Sequence, residues 1–173
     1  MKFVPCNSQN HGTVILDTFN EVIATSTALY EYVPRTPEFM ASWFADKAAG
    51  NYPIIGALDD SGALLGFGTY GVFRSKPAYK YSVEHSLYVH KNHRGKGVGA
   101  ALLERTIEAA KAQGYHVMVG GIDADNAASI ELHKKFGFVH SGTVTQSGFK
   151  FGRWLDVAFY QLTLPTPVNP IDG

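Results

Sequence analysis

Hydrophobic positions along this chain switch between a helical period and a strand period, and the switches outline its elements. Lys2 to Pro5 reads as a short first strand. From His11 to about Ala28, the residues Val14, Ile15, Thr18, Phe19, Val22 and Ile23 recur at helical spacing. Pro34 breaks the run. Pro37 then fits the first turn of a second helix, capped by Thr36 and ended near Ala49 by Gly50. Two strands follow, Ile54–Leu58 and Leu64–Phe73, joined by the turn signal Asp59-Asp60-Ser61-Gly62. From Tyr81 to Val89 the pattern alternates. Tyr81, Val83, His85, Leu87 and Val89 share one face, while Ser82, Glu84, Ser86 and Tyr88 share the other.

The helical period returns from Val98 to Gln113, with Leu102, Leu103, Thr106, Ile107 and Ala110 on one face and Gly114 just past the end. His116–Ile122 is another strand. Asp125 or Asn126 caps a short helix that stops at Gly137, and two final strands start at Phe138, with turns at Gly142, Ser147-Gly148 and Gly152. The order β, α, α, β, β, β, α, β, α, β, β describes one mixed α/β domain over residues 1–164, helices covering a sheet. Residues 165–173 carry three prolines and little apolar content, the pattern of an unstructured tail.

Charge narrows the function classes. Fifteen basic residues balance fifteen acidic ones, so no global field favours nucleic acid or an anionic membrane. No apolar run approaches the ~18 residues of a membrane span. Met1 to Cys6 lacks the hydrophobic stretch of a secretory signal, which makes the cytoplasm the expected location. Cys6 is the single cysteine, so no internal disulfide forms, and no cationic cluster near it in sequence activates its thiol. His85, His90, His93 and His116 lack helical metal-ligand spacing, so no metal is expected.

Arg94-Gly95-Lys96-Gly97-Val98-Gly99 carries the strongest chemical signal. It joins an apolar strand to the long third helix, so the free N–H groups of a first helical turn meet glycines and two cations. That is a cradle for a pyrophosphate. It is not a P-loop, which needs G-x-x-x-x-G-K-[ST], and not a dinucleotide fingerprint, since Gly95-x-Gly97-x-Gly99 continues to Leu102. Packing alone would leave Arg94 and Lys96 unexplained.

Arg94-x-x-Gly97-x-Gly99 after the fourth strand resembles the GNAT N-acetyltransferase superfamily, and Asn126-Ala-Ala-Ser129-x-x-Leu132-His133-x-x-Phe136-Gly137-Phe138 resembles its second cofactor-contacting helix. Val83 to Val89, Leu132-His133-Lys134 and Gly148 to Val157 are similar to the phosphinothricin and methionine sulfoximine acetyltransferase branch. The resemblance implies a mostly antiparallel sheet splayed at strands 4 and 5 and flanked by about four helices. It implies acetyl-CoA as co-substrate, a small amine acceptor and a homodimer, to which the apolar final strands also point.

Site residues follow from the same resemblance. The loop Arg94, Gly95, Lys96, Gly97, Val98, Gly99 would hold the pyrophosphate, Asn126 and Ser129 the pantetheine arm, and a main-chain N–H near Leu87, Tyr88 and Val89 the acetyl carbonyl. Glu84, a carboxylate in an apolar and aromatic strand, is the candidate base, directly or through water. Its plain alternative is a solvent-facing strand residue. His133 stands where a tyrosine often stands in the wider superfamily; it either relays the amine proton or protonates the leaving thiolate. Arg74, Lys76 and Tyr79 are candidates for gripping the acceptor, with solvated loop residues as the alternative. Lys150, Arg153 and Trp154 belong to the C-terminal signature, Trp154 first as packing. A protein N-terminus or lysine as acceptor, or a non-catalytic acyl-CoA-binding module, are the competing readings.

Overall fold

A computed structural model describes residues 1–172. Seven strands form one sheet in the order β1-β2-β3-β4-β5-β7-β6. They are β1 (Lys2–Pro5), β2 (Ile54–Leu58), β3 (Leu64–Val72), β4 (Ser82–Val89), β5 (Val117–Asp123), β6 (Val139–Lys150) and β7 (Arg153–Thr163). The helices are α1 (Ser8–Thr25), α2 (Pro37–Ala49), α3 (Val98–Ala112) and α4 (Ala127–Lys135). Every expected element is present, in the expected order.

The boundaries differ where polar residues do local work. α1 starts three residues before His11, because the Asn7 side chain accepts from Asn10 N and caps a polar first turn that shows no apolar period. It ends at Thr25, where the Ser26 N–H reaches back to Val22 O. For α4 the cap is Asn126, whose Oδ1 accepts from Ser129 N. The expected turns at Gly142 and Ser147-Gly148 are instead irregularities inside one long β6, which shifts register against β7 at both places. The hairpin itself turns at Phe151-Gly152, both at positive φ. The described tail residues, 165–172, form no helix or strand, yet they are tied down: Thr166 Oγ1 donates to Tyr115 O, and Ile171 N donates to the Tyr81 hydroxyl.

Helices cover both faces. α3 lays Leu103, Ile107 and Ala110 on Val83 and Met118, while α1 and α2 close the other face with Ile15, Phe19 and Met40 against Ile54 and Phe67. Burial of these side chains supplies the main driving force for the layers.

The pairing of β4 with β5 decides where function sits. They run parallel and pair only at Ser82–Glu84 with Val117–Val119. Beyond that point β4 stays bonded to β3 as far as Val89, and β5 stays bonded to β7 as far as Asp123. Each strand therefore keeps one complete ladder while its other edge opens. Main-chain groups along that opened edge have no strand partner, and they border a cleft.

Candidate active site

The cleft between the diverging strands encloses about 710 Å³. Its walls are β4 from Glu84 to Val89, β5 from Gly120 to Asp123, the glycine loop, and the Asn126 to His133 side of α4. Ala28 and Leu29, from the segment between α1 and α2, also line it.

The glycine loop has the conformation its sequence calls for. Gly97 caps α3 at φ +80 and Gly95 stands at φ +74, a region where a side chain is strained. Ala101 N is the first α3 amide bonded to Gly97 O, so the amides of Val98, Gly99 and Ala100 have no partner within their helix. Fifteen residues of helix dipole stand behind them. The two cations are more engaged than the motif suggested. Arg94 pairs with Glu21 of α1 and donates from Nε to Val89 O at 3.1 Å, and Lys96 donates to Asn92 O at 2.9 Å. Bare amides are thus the loop's most available donors.

Glu84 and His85 are neighbours on β4 and point to opposite faces of the sheet. Glu84 is half-buried, and burial raises its pKa above the ordinary carboxylate value, against a smaller opposing pull from the Arg74 guanidinium. Its Oε1 lies over Gly121, where a Cβ would come within 3.1 Å of it. On the other face His85 meets His133, Nε2 to Nε2 at 3.0 Å, with the ring planes 26° apart. A Cβ on Gly120 would stand 2.9 Å from His85 Nε2 and 3.2 Å from His133 Nε2. The Gly120-Gly121 pair therefore makes room for one ionisable group of β4 on each face of β5.

The structure gathers Glu84, His133, Leu87, Tyr88, Val89, Arg94, Gly95, Gly97, Gly99, Asn126 and Ser129 around one cleft. Val98 is buried behind the loop it follows, and Lys96 is exposed at its rim. Arg74, Lys76 and Tyr79 lie outside this lining, exposed on the segment between β3 and β4. Of the three, Arg74 is close enough for its charge to act on Glu84.

His85 and Asp123 also belong to the site. His85 has no metal-ligand spacing, but alternation places it on the apolar face with Val83 and Leu87, where a buried imidazole needs a partner. Asp123, at the end of β5, is 6% exposed. Its Oδ1 accepts from Asp125 N, while Oδ2 has no hydrogen-bond partner and stands 4.0 Å from Arg153 Nη2.

The C-terminal hairpin holds the rim. Lys150 is 5% exposed, and its Nζ donates to Ser26 O at 2.8 Å and Leu29 O at 2.6 Å. The Tyr32 hydroxyl donates to Phe149 O. Those bonds fix the segment that brings Leu29 to the cleft. Cys6 is far from this chemistry in role: burial lifts its thiol to about 11, so it stays protonated at neutral pH.

A sheet splayed beside a glycine-capped helix, with a carboxylate in the splay, is the architecture of an acyltransferase cleft. The chain belongs to the acetyltransferase (GNAT) family, whose model matches residues 18–138. The L-methionine sulfoximine/L-methionine sulfone acetyltransferase of Pseudomonas aeruginosa is 45% identical over 157 residues, which cover 90% of this chain and 91% of that protein. A solved chain from Acinetobacter baylyi superposes with a TM-score of 0.98 at 56% identity, over 99% of this chain and 96% of that one. A phosphinothricin acetyltransferase from Sinorhizobium meliloti, solved in complex with acetyl-CoA, superposes with a TM-score of 0.92 at 33% identity, over 98% and 91% of the two chains. Family and fold agree with the resemblance carried by the motifs.

Proposed function

We propose that this protein moves the acetyl group of acetyl-CoA to the amine of a small amino-acid-like acceptor, of the methionine sulfoximine or phosphinothricin kind. Attack is direct, within a ternary complex, in the cytoplasm. The observation that carries this reading is one cleft with unpartnered helix amides at one end and a half-buried carboxylate, Glu84, farther along. The names of the relatives above support the acceptor class.

The residues divide the work by their chemistry. Loop residues 94–97 and the amides of Val98, Gly99 and Ala100 receive the coenzyme's diphosphate. Asn126 commits its side-chain oxygen to the α4 cap, which leaves its amide hydrogens for the pantetheine arm beside Ser129. A main-chain N–H of Leu87 to Val89, on the opened edge of β4, donates to the acetyl carbonyl as charge develops there. Glu84 takes the first proton of the acceptor ammonium, directly or through water, and passes it to solvent. The neutral nitrogen then attacks, its C–N bond forming as the C–S bond breaks. The second amine proton leaves, through water, for the departing thiolate. A raised pKa suits Glu84 to accepting a proton near neutrality.

Arg74, with Lys76 and Tyr79 beside it, supplies positive charge for the acceptor's carboxylate at the mouth nearest Glu84. The solvent-exposed Val144, Phe149, Phe151 and Trp154 of the β6–β7 hairpin give a second copy of the chain an apolar surface, and the working unit is a homodimer.

An amine panel tests the reading through release of free thiol from acetyl-CoA. Methionine sulfoximine, phosphinothricin and ordinary amino acids are offered beside a peptide N-terminus and a peptide lysine. Turnover confined to the small acceptors is expected. Turnover confined to the peptides, or none at all with acetyl-CoA bound, would overturn it.

A further inference from the structure

His133 lines the cleft, but its ring does not stand alone. Its Nδ1 lies 2.6 Å from Ser129 O, one helical turn back. A carbonyl only accepts, so Nδ1 carries the hydrogen of that bond. In the neutral ring Nε2 is then a lone pair, and it needs a donor. The atom it meets is His85 Nε2, 3.0 Å away. His85 must therefore hold its own hydrogen on Nε2, which leaves His85 Nδ1 as a bare acceptor. That atom is buried and has no partner, so in this arrangement it holds a lone pair and not an unbonded N–H, the rarer of the two in protein interiors.

We infer that His85 is a positioning residue, which locks His133 as the neutral, Nδ1-protonated imidazole through a directed Nε2–H···Nε2 bond seated on Gly120. Three features make the seat. Gly120 clears the space that a Cβ would fill beside both rings. Phe138 meets both imidazoles edge to face, at 5.5 Å from His85 and 5.0 Å from His133. Burial pulls both imidazoles below the ordinary histidine pKa, His85 to about 3 with His133 adding to the effect. Both shifts favour the uncharged rings.

The lock ties α4 to β4 at the level where β4 leaves β5. One end of α4 carries Asn126 and Ser129, and the residue before His85 is Glu84. A single hydrogen bond between rings thus couples the coenzyme-facing helix to the strand that bears the carboxylate. It also bears on both proton roles the sequence left open for His133. With Nδ1 committed to Ser129 and Nε2 to His85, neither nitrogen of His133 is free to relay the amine proton or to protonate the leaving thiolate.

This deepens the proposed acetyl transfer and rests on it only for the kinetic arm of its test. In 15N-histidine-labelled protein, the ring spectrum of His133 should show a protonated Nδ1 and an unprotonated Nε2, and that of His85 a protonated Nε2. A His133 ring protonated at Nε2 overturns the lock whatever the enzyme turns over. In the kinetic arm, His85→Gln keeps an N–H donor and should hold kcat close to wild type. His85→Phe keeps a ring without the donor and should lose about tenfold to a hundredfold in kcat, with the KM for acetyl-CoA unchanged. Equal kcat for the two variants overturns the inference. Should His85→Phe fail to fold, the wild-type spectrum and His85→Gln still decide: a large loss of kcat in His85→Gln with normal folding counts against it.

Discussion

Glu84→Gln should lower kcat/KM for the acceptor by about a hundredfold to ten-thousandfold, the usual contribution of a positioned general base. The affinity for acetyl-CoA should stay within about twofold, because a one-atom change from carboxylate to amide perturbs binding far less than the proton transfer it removes. The substitution is nearly isosteric, and Gly121 leaves the same space for the amide. A pH profile separates this loss from a packing effect. Only the ionised carboxylate accepts a proton, so the wild-type rate should fall as pH drops through the pKa of Glu84. Desolvation places that pKa above the ordinary carboxylate value, and Arg74 limits the rise. Arg74→Ala should therefore move the acid limb to higher pH, and in Glu84→Gln that limb should vanish. An unchanged limb in Glu84→Gln would assign it to another group and remove Glu84 from the chemistry.

Gly97→Val should weaken acetyl-CoA binding by about tenfold to a hundredfold. Nothing lies within 4 Å of a Cβ built at Gly97, so the new side chain meets no wall. The cost comes from the backbone, held at φ +80. Left-handed backbone costs an L-residue roughly 1–2 kcal/mol, more when it is β-branched, and the loop escapes by changing conformation. The amides of Val98, Gly99 and Ala100 then lose their common aim, each charge-assisted bond being worth about 1.5–3 kcal/mol. Titration calorimetry with acetyl-CoA reads this directly, with thermal unfolding as the control for global damage. Wild-type affinity in Gly97→Val would show that the diphosphate is held somewhere else.

The features legible in the chain were those with local causes. A cap, a glycine at positive φ and a strand's alternation are each written within a few residues, and so the glycine loop, the α4 cap and the two faces of β4 could be read directly. Features set by distant partners were harder. The splay depends on where pairing between β4 and β5 stops, and nothing in Ser82 to Val89 or Val117 to Asp123 states that register. His85 meets His133 across 48 positions of chain. Three clues did bear on that pair: an imidazole on the apolar face of β4, another on the inward side of α4, and a glycine inside the apolar run of β5, the mark of a close approach. The tail misled for a related reason. Prolines predict irregular backbone correctly, but the bonds that anchor residues 165–172 come from Tyr81 and Tyr115, far back in the chain.

A crystal structure of the protein with acetyl-CoA tests the central claim most directly. The diphosphate oxygens should lie within hydrogen-bond distance of the amides of residues 95–100, with the acetyl carbonyl beside the main chain of Leu87 to Val89 and its carbon facing the Glu84 side of the cleft. A coenzyme seated elsewhere, with those amides turned to solvent or covered by side chains, would contradict the account.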